Sequence, residues 1–394
     1  FGTARLKALH AMRGEHVAGL ASMGIQSSSG NFPYRDSRGQ SGTRRHNGVA
    51  GIEGLVKVVV PAGRFGQFET FVEAAQDDRE IAGLEQFPSD SARQRDRRVL
   101  ASVLFLGAPS LGGHSWSAQA YLRHFSFAFD DAHPPMGPAL SSRLAMLGGG
   151  GSVEASLAVA SFVSVFAGLQ AAFDQGWTHR LETPDQAASR WVVAALTGSR
   201  LDTGVIRAEA TLRAEHDGGF GWQVLPRLAL VARIAPPIEV FARASRAFRL
   251  PTLEELHFMG GFVQGNPDLD PERAWTWDAG VLTHPLPGLR LSAAFFEIRP
   301  DNLIVFLPRS AFVTRAENSG GALLRGVESS LAWHWNGVRA SLSYTFQTAR
   351  FASGMSLPGR PRHRAAMDVG WEIGPVGLNA ALQAGSGFFL DRFE

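Results

Sequence analysis

The chain has 394 residues, enough for two or three soluble domains or for one large barrel. It is 45% hydrophobic and only 19% charged, with 44 Gly and 21 Pro; the charged share lies below the roughly 25% usual for soluble domains. A net charge of +2 argues against a nucleic-acid partner despite a pI of 9.4, and the lack of cysteine excludes disulfide scaffolds, thiolate metal sites and thiol catalysis.

The first residue is Phe1, with no Met and no signal segment, so the chain reads as a fragment or a processed product. Residues 6–12 and 17–26 read as strands around Arg13-Gly14. A polar stretch, 27–45, follows and contains Gly30-Asn31-Phe32-Pro33-Tyr34-Arg35-Asp36. Residues 51–60 and 65–75 flank a turn at Pro61-Ala62-Gly63. A charged run over 76–98 separates them from strands at 99–106 and 115–129. Gly148 to Gly151 reads as a flexible run; no Gly-Lys-Ser/Thr follows, so it is not a phosphate loop. Residues 155–173 come nearest to a membrane helix. Ser156, Ser161, Ser164 and Gln170 interrupt them, and Leu157, Val159, Val163 and Val165 recur at strand spacing.

Further strands are predicted at 190–196, 205–213, 222–233 and 238–245. Pro251, Gly260, Gly261, Gly265, Pro267 and Pro271 then exclude a long helix or a central strand. Leu289, Leu291, Ala293 and Phe295 alternate again. So do Leu331, Trp333 and Trp335, then Val338, Ala340, Leu342, Tyr344 and Phe346, around the hairpin turn Asn336-Gly337. Short turns at 236–237, 285–288, 336–337 and 374–375 alternate with long connections at 249–271, 299–325 and 347–363. A soluble sandwich rarely shows that asymmetry; an outer-membrane barrel does. Only helices and closed barrels satisfy every backbone group in lipid. The expected architecture is therefore an all-β, antiparallel, up-and-down transmembrane β-barrel. Its Val/Leu/Phe face points outward, Trp333, Trp335, Tyr344 and Phe346 lie near the interfaces, and an Arg/Ser/Thr face lines the lumen.

The stretch from Ser245 to Gly280 carries a closer likeness. Arg249-Leu250-Pro251-Thr252-Leu253-Glu254-Glu255-Leu256, followed by Gly265-Asn266-Pro267-Asp268-Leu269-Asp270-Pro271-Glu272, resembles the late barrel region of TonB-dependent outer-membrane receptors. The matching positions are Arg249, Pro251, Glu255, Leu256, Gly265, Asn266, Pro267, Leu269, Pro271 and Glu272. Phe1-Gly2-Thr3, Gly30 to Asp36, Asn318 to Glu328 and Leu357 to Arg364 resemble other family segments in the same order, with Asn31 where the family has an acidic residue. The resemblance implies that residues 1–394 are an incomplete barrel domain, about 22 strands in the intact family. A plug domain and coupling box would precede Phe1, and last strands would follow the non-aromatic end Leu390-Asp391-Arg392-Phe393-Glu394.

The function implied is import of a scarce large nutrient, such as an iron chelate or a cobalamin-like compound, across the cell outer membrane. Its implied partners are that ligand, outer-membrane lipid and lipopolysaccharide, and a TonB-type energy-coupling protein reached through the plug. No nucleic acid is expected, and the protein is read as a monomer. The alternatives are a passive pore and a barrel-based enzyme or adhesin. No His-Glu-x-x-His, Gly-x-Ser-x-Gly or dinucleotide fingerprint occurs, so no catalytic residue, metal or cofactor is expected. Glu254, Glu255 and His257 read as strand-end and loop residues. Asp268, Asp270 and Glu272 lack the rest of a calcium loop. Arg360, Arg362, His363 and Arg364 form a basic cluster, read either as a solvated loop base or as a contact for lipopolysaccharide phosphate or an anionic ligand. Phe258 and Phe262, with Met259 among glycines, either pack against neighbouring loops or serve as the candidate ligand contacts.

Overall fold

In the computed structural model the described residues are 2–35, 40–83, 88–108, 114–180, 183–260, 263–310 and 313–387. Along the first half run β1 (Thr3–Arg13), β2 (Ala18–Ser28), β3 (Phe32–Arg35), β4 (Ser41–Arg44), β5 (Val49–Pro61) and β6 (Gly66–Glu80). They are followed by β7 (Arg93–Gly107), β8 (Ser115–Asp131), β9 (Leu140–Ala160), β10 (Val163–Arg180), β11 (Thr183–Asp202), β12 (Ile206–Asp217) and β13 (Gly221–Ala235). Then come β14 (Ile238–Arg249), the one-turn helix α1 (Leu253–His257), β15 (Met259–Gly260), β16 (Val263–Gln264), β17 (Glu272–Leu286) and β18 (Leu289–Asp301). The chain continues through β19 (Ile304–Ser310), β20 (Val313–Asn318), β21 (Ala322–Trp335), β22 (Val338–Phe351), β23 (His363–Ile373) and β24 (Val376–Gly385).

Among the described residues eighteen strands form one sheet. Each is antiparallel to the next large strand in the chain, from β1–β2 and β2–β5 onward to β23–β24, with no crossover. Among the described residues β1 pairs only with β2, and β24 only with β23. Short turns join strands at one end, and the connections 250–271, 302–321 and 352–362 lie at the other, as the alternation of turn lengths predicts; the alternation is not uniform, because β12 and β13 are joined at that end by only residues 218–220. Asn336 and Gly337 take the positive φ values, 46° and 80°, that their two-residue hairpin requires.

The registers separate two faces. Leu331, Leu342, Met367 and Leu382 lie opposite one another in turn across β21 to β24. The last three are 44%, 42% and 60% exposed, so no second sheet covers them. The other face carries charge matched by charge: Lys57–Glu69, Arg123–Asp174 and Arg213–Glu215, each at 2.7 Å. The apolar face therefore points out and the paired face lines the lumen. Aromatic side chains mark both ends of the outer face. Phe68, Phe105 and Trp116 pack in series near the short turns, and Trp333 stacks on Trp335 at 5.9 Å. Near the long connections Trp191, His216 and Trp222 form a second row, beside Trp275 stacked on Trp277. A small buried cluster of Ala322, Leu324 and Phe351 sits at the long-connection end rather than midway along the barrel.

Two expectations need correction. The charged run 76–98 is not simply a connection, because β6 continues to Glu80 and β7 begins at Arg93. Above the apolar band the outward face no longer has to be apolar, so the hydrogen-bond ladder continues after the sequence pattern has gone. Gly148 to Gly151 is not a flexible run but the middle of β9, paired on both sides. A Cβ at Gly148 would lie 2.1 Å from Asp174 Oδ1, so glycine makes room there for the Arg123–Asp174 pair. Residues 155–173 are the hairpin between β9 and β10, in line with their strand spacing.

Between the two aromatic rows, Leu342→Arg should cost about 2–4 kcal/mol of stability in a bilayer, whereas Ser341→Arg, on the luminal face, should be near neutral. Denaturant titration of the refolded chain in vesicles checks both.

Candidate functional site

Both of the long connections around β17 and β18 turn back onto the mouth of the barrel. Arg249 ends β14 and stands opposite Glu272, which opens β17. Its guanidinium donates to Glu272 at 2.7 and 2.8 Å and to Glu255 at 2.8 Å, forming a two-sided clamp at half-buried positions. Thr252 and Glu255 form a capping box that starts α1: the Thr252 hydroxyl accepts from the Glu255 backbone N–H at 3.0 Å, and the Glu255 carboxylate accepts from that of Thr252 at 2.8 Å. Glu255 thus holds the helix start and the Arg249 clamp together.

From there the segment folds against the luminal wall. Arg190 on β11 donates to the carbonyl of buried Pro251 at 2.6 Å. Leu253, 6% exposed, lies against Gly176, and a cavity of about 230 Å³ remains between it, His257 and Leu144. Phe258 is 5% exposed and meets Phe127 of β8 edge-on at 5.5 Å. Gly265 N donates to Phe258 O at 2.6 Å; a Cβ on Gly265 would sit 2.8 Å from the backbone of Leu256 and His257, a gap only glycine fills. Leu269 is buried, and Pro267 and Pro271 bound the turn that returns the chain to β17.

The next long connection is bonded to this one. β16 pairs in parallel with β20, and β15, β16, β20 and β19 make a separate four-stranded sheet. Asn318 donates to the carbonyls of Asp270 and Asn302 at 2.9 Å and accepts from Asp270 N. Arg315 reaches Asn266 at 2.9 Å, and Ile304 N donates to Glu272. The motif residues Arg249, Pro251, Glu255, Leu256, Gly265, Asn266, Leu269 and Glu272 are therefore brought together as one latch. Phe258 is part of it; Phe262 lies outside the described residues. The Glu272 carboxylate is taken up by Arg249 and Ile304 N, and among the described residues no His, Asp and Glu cluster forms a metal site. Tyr344 Oη meets His363 Nδ1 at 2.8 Å, away from the latch.

Arg190, Asp217 and Phe127 carried no local signal in the sequence. Asp217 is fully buried, accepts from Gly219 and Phe220 N–H, and lies 3.9 Å from Arg190 Nε. The surrounding wall raises the Glu254 carboxyl above the usual carboxylate range, and the charges of Glu255 and Asp96 push it further the same way. Burial lowers the His257 imidazole. Among the described residues the site offers latches and ion pairs, with no nucleophile–base pair.

Comparison with known proteins matches this geometry. Residues 163–392 fit the family described as TonB dependent receptor-like, beta-barrel. The vitamin B12 transporter BtuB of Vibrio vulnificus (strain YJ016) is 24% identical over 136 residues, 34% of this chain and 22% of that one. The siderophore receptor PirA of Acinetobacter baumannii superposes with a TM-score of 0.76 at 13% identity, covering 97% of this chain and 64% of its own. The ferric enterobactin receptor of Pseudomonas aeruginosa gives 0.74 at 15% identity, with 97% and 65% covered. The chain thus spans under two thirds of these solved relatives and about a fifth of the curated one. The family and these neighbours are transporters, not enzymes.

Arg249→Ala should raise amide hydrogen exchange over residues 252–260 by about tenfold or more, since a bond to a charged group is worth about 1.5–3 kcal/mol, while the strands stay protected. Docking also depends on pH, with opposite signs from two groups. Glu254 has a raised pKa when docked, so its contribution favours docking as pH falls. His257 has a lowered pKa when docked, so docking weakens as pH falls through about 6.5. Glu254→Gln removes the first group. Its exchange protection should exceed wild type at neutral pH and decline on acidification; a flat profile would exclude His257.

Proposed function

Because the chain belongs to the TonB dependent receptor-like, beta-barrel family, we propose that it supplies the wall and mouth of an active transporter in the cell outer membrane. The cargo is a scarce large nutrient, an iron chelate or a cobalamin-like compound, and import is energised by an inner-membrane TonB complex. The observation that carries the proposal is the Arg249–Glu255–Glu272 latch, which holds two long connections over a wide lumen lined with paired charges. Such a mouth retains a bulky ligand in a way that an open pore does not. The long connections face outward from the cell. Residues 1–394 act as barrel domain, and energy coupling belongs to a plug domain outside these residues. The protein works as a monomer among outer-membrane lipid and lipopolysaccharide.

Phe258 and Phe262 are the proposed ligand contacts. Phe258 is held against Phe127 while the segment is docked and becomes available when the latch opens. Uptake of ferric chelates and of cyanocobalamin should be followed in cells carrying the intact protein, with and without the coupling protein. Saturable uptake that disappears without coupling is the expected result; uptake that persists unchanged indicates a passive pore. A Phe258→Ala, Phe262→Ala double variant should lower affinity with barrel insertion intact, and unchanged affinity removes both residues from the contact surface.

A further inference from the structure

Arg190 holds the docked segment with a guanidinium whose own ion pair is left open. It stands on the luminal face of β11, and Asp217 ends β12 on the same face, opposite Val192. The Asp217 carboxylate is fixed from behind: Gly219 N donates to Oδ1 at 2.8 Å and Phe220 N at 3.2 Å, in the turn that leads to β13. The carboxylate is 2% exposed, yet its Oδ2 has no hydrogen-bond partner among the described residues. Neither has the Nε–H of Arg190, 3.9 Å from that oxygen. The guanidinium is drawn the other way, since its Nη1 donates to the buried Pro251 carbonyl at 2.6 Å. Asp174, opposite Arg190 on β10, is already taken up by Arg123 through both oxygens at 2.7 Å.

A buried carboxylate oxygen and a buried N–H, each unpaired and about 1 Å too far apart to bond, make a costly arrangement. It persists because the Pro251 carbonyl holds the guanidinium back. When residues 250–258 lift away, that carbonyl leaves with them. A small turn of the guanidinium then brings Nε–H and one Nη–H onto the fixed carboxylate, in the forked geometry that arginine and carboxylate share. Arg190 therefore has a partner in either position, and the second pairing is complete only when the segment is off the wall.

Resting on the reading of this segment as the part of the mouth that opens, we propose that Arg190 and Asp217 are positioning residues that set how often it opens. Arg190 holds Pro251 in the docked form, and Asp217 takes Arg190 over in the lifted form. Both act on the ligand contact at Phe258 only through the segment. The pair works against the Arg249 clamp, which favours docking alone. It keeps the docked segment within reach of opening, with Phe258 released from Phe127 when the segment lifts. A carboxylate that only braced Arg190 against Pro251 would do the reverse.

Amide exchange over residues 252–260 of the intact protein in lipid nanodiscs, with no ligand and no coupling protein, reads docking. Asp217→Asn keeps an acceptor for Gly219 and Phe220 and removes the charge that draws Arg190 away. Protection should therefore rise about tenfold, with β11 and β12 unchanged. Unchanged or lowered protection overturns the proposal. In an Arg190→Ala background the same Asp217→Asn change should shift protection by less than about twofold. A full gain there means that Asp217 acts without Arg190, and overturns the proposal too. Wild type and Arg249→Ala supply a measurement that does not depend on those variants folding. As Arg249→Ala frees the segment, the Arg190 Nε–H, followed by NMR, should exchange more slowly while the segment amides exchange faster. If both quicken together, Arg190 has no second partner and the proposal falls. These readouts leave import out, so loss of coupled uptake would sink the transport reading alone.

Discussion

Unbroken pairing of backbone N–H and C=O groups between consecutive strands is the constraint on which everything else in this molecule depends. Lipid offers no water to an unpaired amide, so an apolar outer wall is feasible only where the ladder is complete. The registers run residue by residue from β1 to β24 and shift at only a few positions, such as the bend between β9 and β10. The outer edges of β1 and β24 have no partner among the described residues, and an edge of that kind is prone to associate.

The same ladder decides the chemistry of both surfaces. Successive side chains point to opposite faces, so a single register dedicates one face to lipid and leaves the other polar. On the luminal face most arginines stand beside a carboxylate. These pairs are largely exposed and add little net stability. Their consequence is a lumen that is wet and charged yet close to neutral. On the outer face the arginines of β7 and β9 appear only beyond the apolar band, where solvation of a charge is no longer forbidden.

Stability is distributed unevenly. The strands are held by continuous ladders, whereas the segment after Arg249 is held by one guanidinium, one capping box and a few side chains docked against β8 to β11. Such an element belongs to the low-stability end of a fold, where opening costs least. The clamp at Arg249 is also where the two long connections meet, through Glu272 and Ile304, so releasing one loosens the other.

The strands, their outward faces, the Asn336-Gly337 hairpin and the order of short and long connections were legible in the chain, because alternation and turn chemistry are local and need no neighbour. So was the grouping of Arg249, Glu255 and Glu272, through a motif resemblance whose residues proved to bond one another. The extent of β6 and β7 was not legible, since beyond the apolar band pairing continues without an apolar pattern. Nor was the strand identity of Gly148 to Gly151, which depends on Asp174 and Arg123 crowding in from neighbouring strands. Arg190 beneath Pro251, Phe127 against Phe258, and Asp217 beside Arg190 are far apart in the chain. Only strand order and register bring them together, and those are set by the pairing of the whole sheet, not by any segment within it.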